Sequence, residues 1–279
     1  LYGATVLNGS YQNMPKPVTT LFVVANVIVF VFTHDVTGIG GASLQQDSLV
    51  QWATYGFPIA ELSEWWRILT GAFLHADIRH LLLNMIMFFL LGRRLENQIT
   101  SPLFAAVCCV SLVWGSAGAL LVAPNTAVVG ASGVVYGVMA AVFVVERRSG
   151  GDPWSEGLGT LIVVNVVVSF VMPGISVGGH LGGLAGGVVC GWAAGDQRRR
   201  DAWRTRITIS FAGFLGCLLA FFAGTLTLKI PANLASTVDM LLSIQSPSFE
   251  AIISDRLSKS PGLSSPNTLI KIDFITTYS

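Results

Sequence analysis

Two residues able to carry nucleophile and base chemistry sit where a chain seldom tolerates polar groups. Ser132 opens an apolar run within Gly130-Ala131-Ser132-Gly133-Val134-Val135-Tyr136-Gly137, and His180 lies inside another, Gly178-Gly179-His180-Leu181-Gly182-Gly183-Leu184-Ala185-Gly186-Gly187. Polar side chains at bilayer depth are costly and mark function. A hydroxyl and an imidazole in separate apolar runs point to nucleophilic catalysis within a membrane, with Ser132 attacking and His180 as its base. Ser132 and Tyr136 are four residues apart and so share a helical face, which lets Tyr136 lie beside the ring that partners Ser132. His80 and Asn84 repeat that spacing. With the N–H of Ser132 at a helix start, they are candidate oxyanion donors.

Glycine supports the same reading. Gly130 and Gly133 let a helix or a substrate backbone approach Ser132, and Gly179 belongs to a face of small residues, spaced three and four apart, that draws membrane helices together. The purely structural alternative makes Ser132 a helix cap and His180 a hydrogen-bonded packing residue. The apolar runs carry no aspartate or glutamate, so a Ser-His-Asp triad has no support; a dyad with Tyr136 orienting the imidazole is simpler.

The elements that must position these residues are transmembrane helices. Of the 279 residues, 52% are hydrophobic and 11% charged, with mean hydropathy +0.66, a balance foreign to soluble domains. Seven segments approach the length needed to span a bilayer: Val18–His34, His80–Leu95, Ser101–Val122, Ser132–Val145, Gly157–Met172, Ser176–Ala194 and Ile207–Leu228. An all-α, polytopic bundle of about seven helices is expected. Arginines set its direction. Arg93 and Arg94 close the second segment, Arg147 and Arg148 the fourth, and Arg198, Arg199, Arg200, Arg204 and Arg206 follow the sixth, whereas 123–129 and 173–175 hold no basic residue. The N-terminus is then cytoplasmic, and Ser132 faces the outer side.

The expected organisation is a cytoplasmic stub (1–17), a six-helix core (18–195), an arginine-rich loop with a seventh helix (196–230), and an outer tail (231–279) without assigned role. Residues up to Lys16 and Pro17 lack the order of a signal peptide, so the first apolar run should persist as a helix. The loop 35–79, rich in Trp52, Tyr55, Phe57, Trp65 and Trp66, is expected partly in the outer leaflet; a small external subdomain is the alternative.

Other chemistries fit poorly. There is no HExxH, and His75 and His80 are five apart, on different faces of a helix, so no metal or cofactor is expected. Cys108, Cys109, Cys190 and Cys217 lie in apolar runs without ligand spacing and read as packing residues. A net charge of +1 gives no case for nucleic acid, and the spans lack the ionisable ladder of a transporter.

Taken together, Trp66-Arg67, His75, His80, Asn84, the GASG of Gly130 to Gly133, Tyr136, and Gly179-His180 with Gly183 and Gly187 resemble the rhomboid family of intramembrane serine proteases, over roughly Val18 to Leu228. The resemblance implies Ser132 as nucleophile, His180 as base and then acid, Tyr136 holding its ring, and His80, Asn84 and the Ser132 N–H as oxyanion hole. His75 would be structural, and Trp66-Arg67 would brace the loop. It also implies cleavage of single-pass transmembrane proteins near the outer end of their span, through an acyl-enzyme. The short, arginine-closed loops suggest a bacterial plasma membrane. A proteolytically silent relative that binds transmembrane clients is the alternative function.

Overall fold

Apolar runs bounded by proline, glycine or charge become helices here because a backbone in hydrocarbon must satisfy its own hydrogen bonds. The computed structural model describes residues 16–35, 43–195 and 202–226. Its long helices are α1 (Pro17–Thr33), α5 (Ile78–Glu96), α6 (Ser101–Val122), α7 (Ser132–Arg148), α8 (Leu158–Val171), α9 (Val177–Ala194) and α10 (Ala202–Leu226), each on one of the apolar segments. The 35–79 loop folds into short helices α2 (Gln46–Trp52), α3 (Gly56–Glu61) and α4 (Arg67–Thr70), and a two-residue strand pair joins His34–Asp35 to Ser43–Leu44. Residues 1–15, most of the arginine cluster after α9, and the 231–279 tail lie outside the described residues.

The centre of the bundle is α9, whose glycines form two ridges. Gly178, Gly182 and Gly186 press on Gly118 and Trp114 of α6, while Gly183, Gly187 and Gly191 press on Gly133, Gly137 and Ala141 of α7. Between lipid-facing helices the hydrophobic effect supplies little, so close backbone packing holds them together. On its far side α6 meets α10, where Trp114 Nε1 donates to the Ala212 carbonyl at 2.8 Å. Helix α1 packs on α5 through Phe22, stacked on Phe88 at 4.2 Å. Its first turn lacks a side-chain cap of its own; the Glu96 carboxylate ending α5 accepts from Val18 N (3.1 Å), Thr19 N (3.0 Å) and Thr19 Oγ (2.7 Å). This places an anion at a helix N-terminus, where orphan donors and the dipole favour it.

Large apolar side chains cover the outside as well as filling the core: Phe32, Leu83, Val171 and Phe211 are all exposed. In water such a surface would aggregate; it suits a membrane protein. Ser101–Val122 and Thr205–Gly224 are each long and apolar enough to cross a bilayer by length and composition. The helix ends bearing Arg93, Arg94, Arg147 and Arg148 lie opposite the ends bearing His80 and Ser132 along the same helices. At the basic end Arg94 pairs with Glu146 at 2.5 Å and with Glu156, tying α5 and α7 to the turn before α8.

The loop region packs on α6 and α10 through Ile59, Leu120 and Ala223. Arg67 is fully buried, with Nε at 2.6 Å from Glu64 and Nη1 donating to the Ala53 carbonyl. Beside it Trp66 is 45% exposed, while Trp65 stacks on Phe221 of α10 at 5.2 Å.

Candidate active site

Ser132 is the first residue of α7, with Ala131 in the cap position and no side-chain cap hydrogen bond. Its hydroxyl is therefore not used as a cap, and its N–H is one of the unpaired donors of a helix start. The approach to this turn is held by backbone bonds. Thr54 and Val128 pair reciprocally (3.0 and 2.8 Å), and Gly130 N donates to the Gly71 carbonyl at 2.9 Å. Gly130 has φ +122°, and a Cβ there would come within 2.7 Å of the His80 ring, so only glycine fits. The short helices of the loop thus fix the segment that presents Ser132. A small cavity adjoins the serine, walled by Gly71, Gly115, Gly130, Gly133 and Gly179 with Thr54, Ser116 and Ser176; His180 does not line it.

His180 lies in the first turn of α9, buried, its ring stacked on Tyr136 with centroids 3.9 Å apart and planes 19° apart. Tyr136 is one turn beyond Ser132 on α7, so the imidazole sits against the helix that carries the serine. The backbones touch nearby, where Gly183 meets the Gly133 carbonyl. Ser132 and His180 are thus brought onto facing turns without a direct hydrogen bond between them.

The far side of the His180 ring carries a residue that sequence reasoning missed. Ser169 of α8, itself buried, lies with Oγ 2.7 Å from His180 Nδ1. It also donates to the Asn165 carbonyl at 2.8 Å, the same carbonyl that receives the Tyr136 hydroxyl at 2.8 Å. The available signal was Asn165 and Ser169, four apart in a span whose one other polar side chain is Thr160, a pattern that calls for a functional explanation.

His80 lies on α5 beside Gly130, and its Nδ1 receives Ala76 N at 3.4 Å, which leaves the proton on Nε2, a donor. Asn84 is buried and its Nδ2 donates to the His80 carbonyl at 3.0 Å, so one of its two N–H groups is occupied within α5. His75 is fully buried, edge-on to His80 at 5.1 Å, with neither ring nitrogen bonded. Burial, reinforced by the His80 ring, pushes it down to about 3. His75 is neutral at ordinary pH and does not reach Ser132 by any hydrogen bond.

Asp77 caps α5, accepting from Arg79 N at 2.7 Å and His80 N at 2.9 Å. Partial burial opposes its charge, but the amides of His80 and Arg79 and the Arg79 guanidinium outweigh this and hold the carboxyl below its ordinary value. Asp77→Ala is expected to cost about 1 kcal/mol at neutral pH. A lowered folded value means that the contribution exists above the unfolded value and is lost as pH falls through the folded one. The gap in thermal unfolding between the two proteins should therefore begin to narrow only below pH ~4 and close as pH falls through the folded value; a gap that does not narrow on acidification would show that the cap's charge is not its source.

Residues 62–197 match the profile of the Rhomboid domain. The chain is similar to the rhomboid protease GluP of Bacillus subtilis strain 168, 28% identical over 159 residues, which are 57% of this chain and 30% of GluP. It is also similar to the YdcA rhomboid of the same strain, 31% identical over 163 residues, 56% of this chain and 77% of YdcA. A third relative is the rhomboid protease GlpG of Yersinia pestis, 27% identical over 103 residues, 37% of this chain and 36% of GlpG. A polytopic membrane bundle with serine and histidine on facing helix turns is the class that fold and site define. The chain belongs to the rhomboid family. It spans about 30% of the length of GluP.

Proposed function

We propose that this chain is a serine-type intramembrane endopeptidase whose catalytic unit is the bundle 18–195. The carrying observation is a serine at the uncapped first position of α7, one turn from a tyrosine on which a buried histidine is stacked. Relatives named as rhomboid proteases support protease activity. Ser132 Oγ attacks the substrate carbonyl as its proton passes to His180 Nε2. The Ser132 N–H, His80 Nε2–H and the second Asn84 N–H stabilise the oxyanion. The intermediate then collapses: the C–N bond breaks, His180 protonates the leaving amine, and water activated by His180 hydrolyses the acyl-enzyme. Gly130, Gly133 and Gly179 leave room for the substrate backbone, while His75, Trp66 and Arg67 act in support.

The substrates are single-pass transmembrane proteins, entered from the bilayer and cut near the outer end of their span. A helical peptide bond is hydrogen-bonded and covered, so the segment must unwind before attack. The arginine-bearing helix ends support an orientation with the N-terminus and the basic end in the cytoplasm and the site near the opposite face.

The test is cleavage of a fluorogenic transmembrane substrate by purified protein in liposomes, with and without a fluorophosphonate, followed by mapping of the adduct. Inhibition with the adduct on Ser132 is expected. Cleavage that persists with Ser132 labelled would refute the nucleophile, and a folded protein that neither cleaves nor labels would favour the client-binding alternative.

A further inference from the structure

Resting on that reading, the geometry points to Ser169 as a third member of the hydrogen-bond chain, a positioning residue that accepts from His180 Nδ1–H and links the histidine to the Asn165 carbonyl. The chain has a definite proton inventory. Asn165 O only accepts; Tyr136 and Ser169 each bring one O–H; and His180 Nδ1 accepts when bare and donates when protonated. Tyr136 Oη lies 2.8 Å from both Asn165 O and Ser169 Oγ, and Ser169 Oγ lies 2.8 Å from Asn165 O and 2.7 Å from Nδ1.

When His180 takes the proton of Ser132, both ring nitrogens carry hydrogen. Nδ1–H then requires an acceptor, and Ser169 Oγ is the atom within reach. Ser169 can accept because its own hydrogen goes back to the carbonyl four residues earlier, a bond that serine makes readily within a helix. The proton at Nδ1 stays in place while the one at Nε2 continues to the leaving amine. No atom has to rearrange between the resting ring and the imidazolium, and the three side chains are almost entirely buried, where an unmatched donor would be costly. The same bond holds the neutral ring as the Nδ1–H tautomer, leaving the Nε2 lone pair for Ser132. A hydroxyl backed by a helix carbonyl thus takes the orienting place that a carboxylate fills in a triad, in spans that hold no carboxylate. It also ties the base to α8, a helix packed only against α7 and α9 among the principal helix contacts of the described residues.

The test compares wild type, Ser169→Ala, Ser169→Thr, Ser132→Ala and His180→Ala in the liposome cleavage assay, with thermal unfolding measured for each. Loss of one hydrogen bond to a charged group predicts that Ser169→Ala lowers kcat about 10- to 100-fold, with KM within about twofold. Fluorophosphonate labelling of Ser132 should slow in parallel, because it needs the same base, and Ser169→Thr should restore most of both. Ser169→Ala at full kcat, with Ser132→Ala and His180→Ala inactive, would overturn the role of Ser169 alone. A kcat loss that threonine does not restore, accompanied by a fall in unfolding temperature, would also overturn it as mere packing. Cleavage unchanged in Ser132→Ala would instead sink the underlying serine-protease reading.

Discussion

Ser132→Ala is expected to lower cleavage by about 10⁴-fold or more and to leave unfolding within about 0.5 kcal/mol of wild type. Both halves follow from the position of the side chain. The serine hydroxyl neither caps α7 nor makes another hydrogen bond, so its removal takes away the proposed nucleophile without breaking a structural contact. His180→Ala should reach a similar residual rate by a different physical route. It removes the base, but it also strips the stacking partner from Tyr136 and leaves Ser169 Oγ without its ring partner, at a stability cost of about 1 to 3 kcal/mol. Residues acting as one unit are not additive, so the double variant should be no slower than the worse single one. The measurement is kcat/KM for a fluorogenic transmembrane substrate in liposomes, with unfolding followed on the same preparations. A folded Ser132→Ala protein that cleaves near the wild-type rate would remove the nucleophile from this proposal.

Helix positions were legible because hydropathy and arginine placement are local signals. The third segment was predicted as Ser101–Val122 and has those bounds in the structure. Where boundaries differ, the reason is that hydropathy marks bilayer depth while hydrogen bonding marks helix ends. α7 runs on through Glu146, Arg147 and Arg148, and α10 begins at Ala202, before its arginines, because charged residues do not break a helix. α5 begins at Ile78 because Asp77 caps it, a cue available from an aspartate just before an apolar run.

What stayed hidden depends on partners distant in sequence. Nothing in Trp65-Trp66 says which ring will face α10; the structure buries Arg67 and stacks Trp65. Glu96 looks like an ordinary end-of-span charge until the first turn of α1 is seen to require an acceptor. Ser169 is one hydroxyl in a valine-rich segment, and its relation to His180 appears only when α8 folds back beside α9. Residue types capable of the chemistry were thus readable along the chain, whereas the hydrogen bonds that orient them were not.

The two α9 glycine ridges make the second large effect a matter of backbone geometry. Gly183→Val is expected to lower cleavage by about 100-fold or more and to destabilise the bundle by about 3 kcal/mol. Any Cβ at Gly183 falls on the Gly133 carbonyl, and that atom is backbone at the start of α7, so no rotamer change relieves the contact. The helices must separate, and Gly133 is the residue after Ser132. A shift that accommodates the valine therefore moves the nucleophile relative to His180, three residues before the substitution. Gly213→Ala is the matched control, since its Cβ would meet only Val110 Cγ2 at an ordinary 3.7 Å. It should retain full cleavage and stability. Near-normal activity and unfolding in Gly183→Val would mean that α7 and α9 do not depend on backbone contact at this crossing. Loss of activity with stability kept would still locate the effect in the spacing between Ser132 and His180, because the close approach of the two helices also sets the distance between the proposed nucleophile and its proposed base.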